Sequence, residues 1–208
     1  MFRYRTIYKE AVVEQIIEKS RFIAYIKPVE TKEEADAFFT QIRTLHKNAT
    51  HNVPAYVIGE KSELQWASDD GEPQGTSGAP IVQMLVKEGI TNVAVIVTRY
   101  FGGIKLGTGG LVRAYTGSAK LALEAAGICE AHEVNLLSAK IDYSNYGKLQ
   151  NLAENGEFEV KNTIFEDLVT VELAVDSEKL SMIRGLLANL TGGKYQELGL
   201  RNKLIKKI

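Results

Sequence analysis

The chain has 208 residues, 45% apolar and 25% charged, which is enough apolar material for one large domain or two small ones and excludes a disordered chain. Lys and Arg number 25 against 26 Asp and Glu, a net charge of −1, so no global basic field draws nucleic acid or an anionic membrane and any such contact must be local. The single cysteine, Cys129, excludes an internal disulfide and a multi-cysteine zinc site. The absence of a signal-like opening or of a run of about 18 apolar residues predicts a cytoplasmic protein with no membrane partner.

In chain order, residues 4–28 read as two strands, the second over 21–28 after a break at Lys19-Ser20. Thr31-Lys-Glu-Glu34 is a capping box, and Ala35, Phe38, Phe39, Ile42 and Leu45 follow at helical spacing, which predicts an amphipathic helix. Residues 53–59 and 64–68 form a hairpin around Glu60-Lys-Ser62, and residues 68–78 are turn chemistry throughout. Residues 79–88 read as a helix closed by Gly89. Residues 92–100 alternate too little for a half-exposed strand, so they predict a central strand buried on both faces. Residues 111–126 read as a helix closed by Gly127, with Ala114, Gly117, Ser118, Ala119 and Ala122 small enough to sit close against a sheet.

Near Glu133 the order restarts. Strand 134–142, helix 145–154, strands 157–165 and 168–175, helix 178–190 and strand 194–204 give βαββαβ, the ferredoxin-like order. Leu180, Ile183, Leu187 and Leu190 are its core stripe. The reading is therefore α+β, with one unit over residues 1–133 and a second over 134–208.

Chemistry concentrates in the first unit. Asp69, Asp70 and Glu72 with His51 bring oxygen ligands together, as a hard-cation site would. Their spacing lacks the alternation of a calcium loop, and the acids suit turns and caps, so no metal is expected. Ser77 in Gly75-Thr-Ser-Gly78 fails the nucleophile-elbow pattern and is better read as a cap. The stretch "NVAVIVTRYFGGIKLGTGGLVRAY", residues 92–115, runs a strand through a glycine-rich loop into a helix. Gly102, Gly103, Gly107, Gly109 and Gly110, with Lys105 inside and Arg99 and Arg113 flanking, make an anion cradle in principle, because helix-start N–H groups and the helix dipole favour negative charge. The intervals match neither the P-loop nor the dinucleotide fingerprint, so no cofactor is indicated. The competing reading has the arginines pairing with Asp69, Asp70 or Glu72, and predicts at least one such ion pair.

"SDDGEPQGTSGAP" followed by "VIVTRYFGGIKLGTGGLVRAY" resembles the signature of the IMPACT family, and Lys19-Ser-Arg-Phe22, His51-Asn52 and Ala55-Tyr56 sit where that pattern expects them. The resemblance covers residues 17–126, and the second half resembles the small domain that bacterial members append. It implies a first domain similar to the fourth domain of elongation factor G, β-α-β-α with a left-handed crossover, and a second similar to that factor's last domain. It also implies translational control, which eukaryotic members exert by binding a large ribosome-associated activator of a stress kinase. It brings no catalytic residues to carry over.

Three function classes stay open. The first is a non-enzymatic, translation-associated module that meets RNA or the ribosome through Arg99, Lys105 and Arg113, with Lys87 and Lys120, on other helices, expected to matter less. The second is a hydrolase or transferase acting on a small phosphorylated or peptide substrate, with His51, Asp69, Asp70 and Glu72 beside the loop. A protein-binding regulator is the third.

Overall fold

The computed structural model describes residues 1–207. The chain is α+β, with two antiparallel sheets and five helices among the described residues. Its elements are β1 (Phe2–Ile7), β2 (Ala11–Ile17), β3 (Ser20–Pro28), α1 (Lys32–Leu45), β4 (His51–Ile58), β5 (Leu64–Ala67), α2 (Gly78–Lys87), β6 (Val93–Tyr100) and α3 (Gly107–Ala126), followed by β7 (Ile128–Ile141), α4 (Tyr143–Ala153), β8 (Glu159–Phe165), β9 (Val169–Val175), α5 (Leu180–Thr191) and β10 (Gln196–Lys207). Tyr4–Glu130, with Lys206 and Lys207, cluster as one compact unit, and Met1–Arg3 with Ala131–Ile205 as another.

The larger unit is built on a sheet of order β2-β3-β6-β4-β5. β6 pairs with β3 on one side and β4 on the other, which is why its residues 93–99 are all buried and show no alternation. Side chains alternate across a strand, so the sheet has two faces. Tyr56, Ile58, Ala94 and Ile96 meet Phe38, Phe39 and Ile42 of α1 on one of them. On the other, Phe22, Ala24, Val53, Ala55, Val95 and Val97 meet Ile81 and Leu85 of α2 and Leu111, Ala114, Tyr115 and Ala119 of α3. The small residues of α3 are thus packed against the sheet.

Two strand readings differ from the sequence expectation. The segment before Ser20 is two strands, because Tyr8 and Lys9 turn their N–H groups to the carbonyls of Gly127 and Ala126 (2.8 and 3.3 Å) instead of continuing a ladder. β2 and β3 then form a hairpin in which Ile17 pairs with Ser20, and the two loop residues, Glu18 and Lys19, both adopt positive φ (44° and 64°). β7 begins at Ile128 and runs unbroken through Glu133. Cys129 and Ala131 alternate inward with Glu130 exposed, a period of two that reads as a polar junction when only the charges are counted.

The second sheet has the order β1-β7-β9-β8, with β10 also on β7. In the smaller unit the order β7-α4-β8-β9-α5-β10 is the expected βαββαβ, and Ile183 and Leu187 of α5 are fully buried against Leu137, Ala139, Val171 and Leu173.

Candidate functional site

The register of the larger sheet creates the site. Phe22 of β3, Arg99 of β6 and His51 of β4 lie opposite one another in a single row, on the face that carries α2 and α3. Along this face the β6 residues are Val93, Val95 and Val97, and then Arg99, so a guanidinium occupies the position where the apolar row ends. Arg99 is 5% exposed. Its Nη1 donates to Glu72 Oε1 at 2.7 Å and its Nη2 to Ser20 Oγ at 3.3 Å, while its Nε has no acceptor. Phe22 and Phe101 place their ring centroids 5.3 and 5.4 Å from the guanidinium carbon, so both rings are within cation–π reach of it.

Glu72 is the hub. Besides Arg99, its Oε1 accepts from Tyr115 Oη at 2.7 Å and lies 3.7 Å from His51 Nε2. Burial first, and the Glu72 carboxylate second, push the Tyr115 phenol well above its ordinary range, so it stays a neutral donor. His51 Nδ1 is 2.8 Å from the Asp70 carbonyl. A carbonyl can only accept, so Nδ1 carries a proton and Nε2 is the nitrogen turned to Glu72. The expected ion pair between the glycine-flanking arginines and the acidic turn is therefore the Arg99–Glu72 pair, and it is buried.

Asp69 and Asp70 do other work. Asp69 Oδ1 accepts from Ser77 N, Ser77 Oγ and Gly78 N (3.1, 2.8 and 2.8 Å), and Oδ2 from Gly75 N at 2.7 Å, so Asp69 caps α2 from outside the helix. Burial raises its pKa, but the four hydrogen bonds outweigh it and hold the carboxyl below its ordinary value. Ser77, expected to cap with its own side chain, instead donates its hydroxyl to that acid and is fully buried. Asp70 Oδ2 accepts from Asn52 N at 2.6 Å. Among the described residues no group of His, Cys, Asp and Glu could hold a metal ion.

The glycine stretch divides into two parts. At Gly102 a Cβ would overlap the Lys19 carbonyl, and the Gly102 N–H donates to Ser20 Oγ at 3.2 Å, so this glycine serves close backbone packing on the β2–β3 hairpin. Gly107, Gly109 and Gly110, read from sequence as loop, open α3: Gly107 enters it at φ 69°, the left-handed region that favours glycine, and Gly109 and Gly110 follow in its first turn. That turn has neither a side-chain cap nor an acidic residue. It opens on a cavity of about 450 Å³ lined by Thr50, His51, Glu72, Pro73, Arg99, Phe101, Lys105, Leu106, Gly107, Thr108 and Leu111.

Arg113 does not join Arg99 there. It lies one turn up α3 and lines two other hollows, one shared with Lys105, Leu106 and Gly110 and one with Lys87 and Lys120. Lys87 and Lys120 were expected on helices other than that of Arg113; Lys120 is on α3 with it, and both lysines line a groove with Arg113, since α2 and α3 pack side by side. Sequence reasoning also missed Tyr115, Ser20 and Phe101 as site residues. Tyr115 is four residues after Leu111 on the otherwise small-residue face of α3, and that one large polar-tipped side chain was the available signal.

The Impact N-terminal domain model matches residues 18–123, and a model for a domain of unknown function matches residues 140–194. The IMPACT family member YvyE of Bacillus subtilis is 40% identical over 92% of this chain and 88% of its own length, and YigZ of Escherichia coli is 32% identical over 91% and 93%. The chain belongs to the IMPACT family. A crystal structure described as that of a hypothetical protein is 30% identical, with a TM-score of 0.62 over 96% of this chain and 98% of that one. Every residue of the Glu72 hub, from Ser20 to Tyr115, falls inside the segment matched by the IMPACT domain.

Proposed function

We propose that this IMPACT-family chain is a translation-associated, cytoplasmic module that binds RNA, free or on the ribosome, through phosphates, and does so without catalysis. One observation carries the reading. The cavity at the head of α3 shares Lys105 with the next hollow, which shares Arg113 with the groove lined by Lys87 and Lys120, so cations recur along a track of three neighbouring hollows, which carry Glu72, Glu18 and Glu88 in turn. Such a track suits a flexible polyanion and requires no net positive charge on the molecule. The translational role of the family's eukaryotic members agrees with it, and no helix among the described residues is long and apolar enough to cross a membrane.

Filter binding of single-stranded RNA to the wild type and to a Lys105→Ala, Arg113→Ala variant tests the proposal. Both side chains are exposed, so the variant keeps its fold, whereas Arg99 is buried and is left in place. Affinity is expected to fall by about the same factor for unrelated sequences, because phosphate contacts carry no base information. A wild type that binds no RNA at low salt overturns it.

A second reading is favoured by one feature, the His51 ring fixed by the Asp70 carbonyl with Nε2 facing a concave site. It makes the cavity a hydrolase or transferase centre for a small phosphorylated or peptide substrate, with His51 as base. Turnover of such substrates that is lost in His51→Gln is the outcome that would favour it.

A further inference from the structure

We infer that the cavity at the head of α3 takes one unstacked RNA base and prefers a base with an exocyclic amino group, such as adenine or cytosine, over uracil. This rests on the RNA-binding reading above and adds a source of sequence preference to it.

Glu72 supplies the deciding observation. Its side chain is 4% exposed and lines the cavity. An ionised carboxylate accepts through both oxygens, yet Arg99 and Tyr115 both donate to Oε1, so Oε2 is left without a donor among the described residues. Among those residues Arg99 Nε is the one fully enclosed side-chain nitrogen or oxygen that lacks a partner. Glu72 Oε2 lacks a partner as well, so it is not enclosed, and the cavity that Glu72 lines is the space it faces. Arg99 Nε is sealed from any ligand and takes no part.

An acceptor held in this way selects donors. Arg99 already neutralises the Glu72 charge and Lys105 stands at the rim, so a neutral N–H group is favoured over a ligand cation. His51 Nε2 lies 3.7 Å from Glu72 Oε1 and, because Nδ1 holds the proton, is a second acceptor on the same wall in the neutral ring. An exocyclic amino group brings two N–H donors to such a wall. Uracil brings a single N–H between two carbonyl oxygens, which a carboxylate oxygen repels.

Size and lining suit a base. About 450 Å³ is in the range that small ligands fill. Pro73, Leu106 and Leu111 give apolar contact, and Phe101, 47% exposed, offers a ring for stacking, the way single-stranded bases are commonly held. Lys105 belongs both to this cavity and to the hollow that holds Arg113. A strand whose phosphates follow those two cations therefore passes the cavity mouth and can turn one base inward.

The test uses the full chain and fluorescence anisotropy with an eight-nucleotide uridine RNA and three relatives. In these, one central uridine is replaced by adenosine, by cytidine or by purine riboside, which is adenosine without its amino group. One adenosine or cytidine is expected to tighten binding by about tenfold, the effect of one hydrogen bond to a charged group, and purine riboside to lose most of that gain. In Lys105→Ala, Arg113→Ala all four RNAs should weaken by the same factor and keep their ratios. In Glu72→Gln the Arg99 and Tyr115 donors hold the amide oxygen at the Oε1 position, which puts the amide NH2 at the Oε2 position. The preference for cytidine should then turn toward uridine, measured below the melting temperature of that variant.

Equal binding of all four RNAs by the wild type, with Lys105→Ala, Arg113→Ala still weakened, overturns the base inference and leaves the RNA reading standing. Purine riboside bound as tightly as adenosine shows stacking alone and overturns it too, as does an unchanged cytidine preference in folded Glu72→Gln. If Glu72→Gln does not fold, the purine riboside comparison decides. A wild type that binds none of the RNAs at low salt removes both readings.

Discussion

At the residue scale, the Arg99–Glu72 pair decides most of what happens at the site, because both partners are buried and each holds other groups in place. Removing one partner strands a charge in a low-dielectric setting, which typically costs about 3–5 kcal/mol. Arg99→Met is therefore expected to lose roughly that much stability in urea unfolding. Combining it with Glu72→Gln should recover much of the loss, since no uncompensated charge remains and Tyr115 keeps an acceptor. A double variant no more stable than Arg99→Met would show that the pair is not the source of the cost. Asp69 supplies a prediction in pH. Its folded carboxyl lies below the ordinary value of 3.8, so its contribution to stability is fully present above that pH and is lost as pH falls through the lower folded value. Asp69→Asn should lose stability at neutral pH yet show a shallower acid limb below about pH 4, and parallel limbs in urea midpoints would contradict this.

At the scale of elements, the β2–β3 hairpin is the piece most at odds with local preference. Two-residue hairpin loops favour Asn-Gly or similar pairs, yet Glu18 and Lys19 both sit at positive φ, a conformation costing roughly 1–2 kcal/mol per ordinary residue. The strain has a structural use: it presents the Lys19 carbonyl and Ser20 to Gly102 at the end of β6, which keeps Ser20 Oγ within reach of Arg99. Lys19→Gly should accordingly raise stability by about 1 kcal/mol, read as a higher melting temperature, while Gly102→Ala should lower it sharply. This hairpin also shows what a sequence can and cannot reveal. α1 was legible because its capping box and apolar spacing are local signals, and β6 because seven buried residues in succession leave a single interpretation. The break at Lys19-Ser20 was visible as well. That Ser20 faces Arg99 across 79 positions was not, because the strand order β3-β6-β4 that brings Phe22, Arg99 and His51 into one row is set by pairing between distant segments. The same limit turned the start of α3 into a loop: propensity argues against Gly109 and Gly110 in a first helical turn, and Gly107, at φ 69°, reads equally well as part of a loop.

At the scale of the whole molecule, a net charge of −1 means that a polyanion feels no long-range attraction, so any affinity for RNA must come from a few phosphates held close to the track along α3. Salt dependence measures how many. Each phosphate neutralised on a single strand contributes about −0.7 to the slope of log affinity against log salt. Removing Lys105 and Arg113 together should therefore make the slope shallower by roughly 1.4 if each meets one phosphate. Lys120 is expected to contribute less than Lys87, because Glu88 already lies 3.4 Å from its ammonium and competes for it, although both line the groove with Arg113. Filter binding between about 50 and 200 mM salt separates these cases, the range over which several phosphate contacts change affinity by orders of magnitude. A slope unchanged in a folded Lys105→Ala, Arg113→Ala variant would place the bound phosphates elsewhere on the molecule and return the α3 cavity to a small-ligand role alone.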